Sequence, residues 1–301
     1  RNSALDSGKI VAVLGSGIVG ALAYTFSDSF WFSAAEGEVY AMSSLFTAVV
    51  FWAILKWDGM EDRKHEMRWL VFIAFMIGLS IGVHLLNLLT IPAMALVYYF
   101  NKYKPTLKGA SVAMLISILI LGVIQALIIP GIVTLAGGYE VFFTNSLGTP
   151  FNIGVLYFAM CIIAFIAVSL LPSRDPQQKT AIALYAIIAA AALPVIFSGY
   201  LSGGTKTLVV ILFGAIAFAI SRVKSPNVIL NTAILSFMVI LIGYSTFSLI
   251  VIRSSANPPM DENNPEHVFT LLSYLNREQY GDRPLLYGPY YSAPLDMSEP
   301  K

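Results

Sequence analysis

Two carboxylates, Glu36 and Glu38, lie in the stretch Phe30 to Ala48, FWFSAAEGEVYAMSSLFTA. Apolar runs flank them, Val11 to Phe26 before and Tyr40 to Leu55 after. An acid or arginine inside a bilayer costs roughly 2.5–3.5 kcal/mol on insertion scales. An acid at the mouth of an apolar helix is therefore either a solvated end or a working group. Phe30, Trp31 and Phe32 just upstream read as an interfacial aromatic belt, which sets both acids at the membrane–water boundary. Residues two apart on one helix point about 200° apart, so the pair cannot face one site if the helix has already begun. Glu38 is nearer the apolar run. It has two readings: a general base or sugar-hydroxyl acceptor, or a carboxylate stabilising the positive end of a helix.

His84 lies in GLSIGVHLLNLLTIPA, at a turn between two short apolar runs, with Asn87 one turn further on. A histidine there can hold a phosphate oxygen, move a proton, or simply bond a backbone carbonyl at a helix end. Lys206, in the glycine-rich turn SGYLSGGTK, can neutralise a lipid phosphate or snorkel to the interface. Arg253, at the end of the last apolar run, is a second candidate for that phosphate and equally a membrane anchor. Tyr40 stands beside Glu38 and joins Asn87, Lys206 and Arg253 as a substrate-binding candidate; Glu38, Glu36 and His84 are the catalytic candidates.

Positioning these groups falls to helices. The 301 residues are 57% hydrophobic and only 12% charged, with mean hydropathy +0.75. Soluble domains carry about 25% charged residues, so the composition is that of a polytopic membrane protein. Lipid offers no partner to an open sheet edge, which leaves an all-α transmembrane bundle. Against the ~20 residues a crossing needs, about nine spans are expected. They are Ile10–Phe26, Tyr40–Leu55, Trp69–Val83, Leu85–Phe100, Ala110–Ile129, Ile153–Leu171, Thr180–Phe197, Thr207–Ile220 and Val228–Ile252. Gly15, Gly17 and Gly20 suggest close packing of the first span. Cys161, the only cysteine, falls in an apolar run and reads as a packing residue.

Loop charge then orients the bundle. Arg1, Lys9, Lys56, Arg63, Lys64, Arg68, Lys102, Lys104, Lys108, Arg174, Lys179, Arg222 and Lys224 fall on one side; Lys206 alone lies between spans on the other. Basic loops stay in the cytoplasm, which puts the candidate acids and His84 outside. The charged loop Trp57 to Trp69 reads as a solvated turn held by two interfacial tryptophans. Residues 131–152 are half apolar and read as an anchoring segment along the interface, with Glu140 in it; the alternative is one wall of a lateral opening for a lipid. Residues 1–252 are thus a helical bundle with interfacial helices in its outer loops. Residues 253–301 are a periplasmic tail, the start of a soluble domain. In that tail Asn264 before Pro265 is expected to cap a helix reaching about Arg277, with Val268, Leu271, Leu272 and Leu275 on one face.

No phosphate-binding loop, HExxH, GxSxG or paired CxxC is present. The spans carry almost no ionisable residue at their centres, whereas a transporter would want charged or broken helices there. The competing classes are therefore a surface enzyme acting on a lipid-linked substrate, a transporter, and a structural subunit.

The segments FSAAEGEVYAMSSLFTAVVFW, GLSIGVHLLNLLTIPA and the tail from Ile252 resemble a bacterial family of large inner-membrane proteins. That family is related to an animal protein O-mannosyltransferase and belongs to the GT-C superfamily of glycosyltransferases. The resemblance implies a Gram-negative inner membrane and a periplasmic active side. It implies a polyprenyl-phosphate sugar as donor, with mannose the first choice of sugar, and no cofactor. The partners implied are membrane lipid and an extracytoplasmic acceptor protein, with no nucleic acid. It carries Glu38 to the acidic position of the second outer loop, His84 to the Gly-x-His segment, and Glu36 only weakly. It also implies an earlier loop bearing the main catalytic carboxylate, which this chain lacks; the chain is expected to be an inactive fragment holding the second half of the site.

Overall fold

The computed structural model describes residues 6–37, 39–60, 66–170 and 228–281, with isolated positions between 199 and 215 and at 292. The described residues are helical, without strands. Contacts divide the chain into two units. One holds Arg1–Val123, Ile166–Tyr185 and Ala215–Ser248; the other holds Ile124–Phe165, Ala186–Gly214 and Leu249–Lys301.

In the first unit, α1 (Ser7–Thr25) leads through a short α2 (Asp28–Ala35) into α3 (Val39–Asp58). α4 (Glu66–Ile81) returns, and a 3-10 turn (Leu85–Leu89) swings the chain into α5 (Thr90–Lys102) and α6 (Leu107–Val123). α9 (Val228–Tyr244) closes the unit. The buried residues of α3 are Ser43, Phe46, Val50, Ala53, Ile54 and Trp57, a stripe at helical spacing that packs on α4 and α5. The remaining face of α3 is apolar and open, with Leu45, Trp52 and Leu55 about half exposed. A helix apolar on its outer face suits lipid, where packing rather than hydrophobic burial holds helices together.

α4 and α9 make the tightest pair. A Cβ on Gly78 would lie 2.6 Å from the Ile240 carbonyl oxygen, and one on Gly243 would lie 2.5 Å from the Leu79 nitrogen. Gly82 meets Thr246 in the same way. Contacts that advance together in sequence make the two helices parallel, backbone against backbone. Gly15, Gly17 and Gly20 behave differently from expectation. Among the described residues nothing approaches within 4 Å of a Cβ at any of them, and α1 buries no residue. The Tyr24 hydroxyl ties it to α3, donating to Ser44 Oγ at 3.2 Å.

The second unit is built on α7 (Ile129–Leu147), α8 (Ile153–Leu170), α10 (Ser248–Ser254, its last six residues) and α11 (Val268–Asn276). A π-helical segment, Ile124–Ile128, precedes α7. Pro130 has no N–H to donate to the turn before it, which is where such a widened turn belongs. Most of residues 131–152, expected as an interfacial anchor, is thus the helix α7, ended by Gly148 in the left-handed conformation at φ +66. α11 also starts later than expected. Asn264 is itself left-handed at φ 42, and His267 caps instead, its Nδ1 accepting from the Thr270 N–H at 3.3 Å. Arg277 closes the helix where the sequence places its end, at φ 56. Val268 and Leu271 are buried where α11 packs on α7.

Among the described residues, four helical stretches are long and apolar enough to cross a membrane: Ser7–Thr25, Val39–Asp58, Leu107–Leu147 and Thr232–Ser254. α4, at 16 residues, and α5, at 13, are short. Thr180–Phe197 and most of Thr207–Ile220 lie outside the described residues.

Candidate functional site

The candidates of the first unit gather where α3 begins and α4 ends. α2 closes at Ala35 with Glu36 as its C-cap, exposed, and Gly37 reverses the chain at φ +73. Glu36 therefore finishes one helix and does not open the next, which removes the expected constraint of a shared helix. Glu38 lies outside the described residues, as does Lys206. Tyr40, in the first turn of α3, is half exposed and sets its ring 5.5 Å from that of His84, at an interplanar angle of 58°.

His84 is the best-defined group at this end. Its backbone is extended, its N–H donates to the Ser80 carbonyl at 2.8 Å, and its Nδ1 accepts from the Leu86 N–H at 3.1 Å. The imidazole thus caps the 3-10 turn that follows. Asn87 sits three residues on, and in a 3-10 turn such positions eclipse. Its side chain is fully buried. Nδ2 donates to Ser80 Oγ at 3.0 Å, and Ser80 Oγ donates to the Ile77 carbonyl at 2.7 Å. Thr90 adds a bond to the Asn87 carbonyl at 2.7 Å. Asn87, expected among the substrate-binding residues, is accordingly a buried brace under His84.

Two polar atoms in this region have no partner among the described residues: Asn87 Oδ1, and Ser43 Oγ one turn below Tyr40. Unpaired buried polar atoms are rare and costly, about 1–3 kcal/mol each. Sequence reasoning finds Asn87 but misses Ser80 and Ser43. The available signal is the pairing problem itself: an asparagine among leucines needs a partner, and between Trp69 and Asn87 the apolar stretch holds one hydroxyl, Ser80.

The opposite end of the unit carries the charges. Lys102 Nζ reaches both oxygens of Glu66 at 2.9 Å, and Asn101 Nδ2 donates to Asp58 Oδ1 at 2.7 Å. Trp57 is only 2% exposed and stacks on Tyr98, with ring centroids 5.6 Å apart. It is a packed residue, not the interfacial anchor expected, and Glu66 is buried in an ion pair instead of solvated.

In the second unit Arg253 is exposed on the rim of a hollow of about 640 Å³ lined also by Leu249, Ile250, Met260, Glu262 and Tyr274. Ser254 Oγ donates to Asp261 Oδ2 at 2.8 Å and lies 3.2 Å from Asn264 Oδ1, which pins the loop beside Arg253. Glu140 is 1% exposed. Its Oε1 accepts from the Asn152 N–H at 2.6 Å and from Thr144 Oγ1 at 3.1 Å; its Oε2 accepts from the Val155 N–H at 3.0 Å. These are the free N–H groups at the start of α8, so the carboxylate fastens that helix to α7. Gly154 permits the approach, since a Cβ there would lie 2.6 Å from the Tyr139 carbonyl oxygen. Among the described residues no cluster of three metal-ligating side chains forms.

These features define an all-helical membrane protein with a small polar rim on a bundle end. Residues 1–107, which hold α1 to α5 and the whole Tyr40–His84 end, match the sequence profile of the family described as protein O-mannosyl-transferase TMEM260 N-terminal domain. No curated protein and no solved structure matches the chain.

Proposed function

We propose that the chain is a portion of a membrane glycosyltransferase of the GT-C kind. It moves a sugar, mannose in the first instance, from a polyprenyl-phosphate donor to a Ser or Thr hydroxyl of an extracytoplasmic protein. The observation that carries this reading is a coincidence. The segment similar to an O-mannosyltransferase family is also the segment in which the acidic stretch and the histidine stretch come together at one bundle end, through Tyr40 and His84.

The chemistry needs three things. A base takes the acceptor's hydroxyl proton, the oxygen attacks the anomeric carbon, and the lipid phosphate leaves with its charge stabilised. Glu38, two residues before Tyr40 in the sequence, orients the sugar or acceptor; Glu36 is exposed and available to water-side groups. His84, Lys206 and Arg253 are the candidates for the leaving phosphate. One such donor is worth about 2.7–4 kcal/mol to a transition state. The membrane is the bacterial inner membrane and the working side its periplasmic face.

The reading is tested in membranes of the source cells, given polyprenyl-phosphate mannose carrying a radiolabel and a secreted acceptor. Transfer should occur there and vanish in membranes from a strain without the protein. Equal transfer in both would end the proposal.

A further inference from the structure

The geometry points to His84 as a neutral imidazole that donates from Nε2 to a phosphoryl oxygen, and not as a proton acceptor. The inference rests on the lipid-phosphate donor proposed above and gives His84 a specific role toward it.

The bond from Leu86 decides the tautomer. A backbone N–H can only donate, so the Nδ1 it meets at 3.1 Å must offer its lone pair. In a neutral ring the proton then resides on Nε2. A second proton on Nδ1 would point at the Leu86 N–H and break the bond that starts the 3-10 turn. The ring cannot rotate away freely. Its backbone is tied to Ser80, the same residue whose hydroxyl takes the buried Asn87 amide, and its ring lies 5.5 Å from that of Tyr40, tilted by 58°. Nε2 has no partner among the described residues, and the residue is partly buried at the bundle end. What remains is an N–H donor with no partner among the described residues. General-base chemistry would need a lone pair at Nε2, which this arrangement fills with a proton.

Of the acceptors at hand, a phosphoryl oxygen suits such a donor best. It carries charge, which strengthens the bond, and needs no proton in return. A sugar hydroxyl would take the same bond more weakly.

Two measurements on the whole chain in lipid nanodiscs test this without relying on catalysis. The first is the nitrogen spectrum of histidine-labelled protein, with the His84 signals among the three histidines identified by their loss in His84→Gln. The expected spectrum has Nε2 protonated and Nδ1 bare. A ring protonated at Nδ1, alone or with Nε2, overturns the assignment.

The second is the affinity for farnesyl monophosphate, with inorganic phosphate as a separate arm. Gln carries an amide nitrogen near the place of Nε2, whereas Asn reproduces only the Nδ1 cap. His84→Gln should bind near wild-type strength and His84→Asn about tenfold more weakly, as for one lost hydrogen bond. Binding of both probes assigns the phosphoryl group itself, and binding of the farnesyl compound alone assigns a lipid phosphate. A cap without a ligand predicts no binding of either, or the reverse order of the variants, and either result overturns the proposal. Absence of sugar transfer in membranes would remove the glycosyltransferase reading while leaving both of these results standing.

Discussion

Tyr40 and His84 meet ring to ring across the start of α3 and the end of α4, 5.5 Å between centroids. The two residues are 44 positions apart, and the contact locks the turn after Gly37 to the turn before Leu85. It is the point where the acidic stretch and the histidine stretch, separate in the sequence, become one place. The contact uses the tyrosine ring, since no hydrogen bond to its hydroxyl is formed with His84. Tyr40→Phe should therefore leave thermal stability unchanged in detergent. Tyr40→Ala should lower it by about 0.5–1.5 kcal/mol, the usual worth of a ring pair. A Phe variant as unstable as the Ala variant would show that the hydroxyl matters instead.

The α4–α9 pair depends on bare backbone. Gly243→Val places a methyl-bearing Cβ against the Leu79 nitrogen and the Gly78 carbonyl carbon. Overpacking of a tight core costs about 1–3 kcal/mol, and here no flexible side chain is present to give way. Gly15→Val is the control, because nothing lies within 4 Å of that position. Thermal aggregation of the purified protein should fall to lower temperature for the first and not for the second. Equal melting of both variants would mean the helices do not touch there.

Glu140 is a fastener with both oxygens in use. Glu140→Gln keeps the shape but replaces one acceptor oxygen with an amide that faces a donor, whichever way it turns. The loss should be about 1.5–3 kcal/mol, the range for hydrogen bonds to a charged group. Hydrogen exchange at Asn152 and Val155 is the direct readout. Both amides should exchange faster in the variant, and unchanged protection would contradict the role.

His267 begins α11 through its ring nitrogen, in a reciprocal box with Thr270. Asparagine can make the same bond. His267→Asn should hold stability near wild type, while His267→Ala should cost about 1 kcal/mol in the helix that packs on α7. Proteolysis near Val268 would report the difference; equal cleavage of the two variants would dismiss the cap.

Much of this architecture is legible in the chain because composition dictates it. Runs such as Val39–Asp58 can only be apolar helices. Helix length is harder to read. Residues 131–152 mix glycine, aromatics and one acid, which reads as a segment along the interface; most of them are the helix α7, and what local sequence does not show is that Glu140 finds its donors at the start of α8. Trp57 misleads for a related reason: a tryptophan beside charges resembles a membrane anchor until Tyr98, 41 residues away, supplies a stacking partner. The cap of α11 misleads because Asn264 before Pro265 has the right local chemistry, but Ser254 and Asp261 hold that loop in another shape. In each case a distant partner outweighs a sound local preference.

The most direct test of the central claim is made on the acceptor itself. Secreted proteins of cells carrying the wild-type protein, the Glu38→Gln variant, or none should be digested and their glycopeptides compared by mass spectrometry. The account predicts hexose on Ser or Thr in the first case and its loss in both others, with the variant still present in the membrane. Identical hexose modification in all three would contradict it.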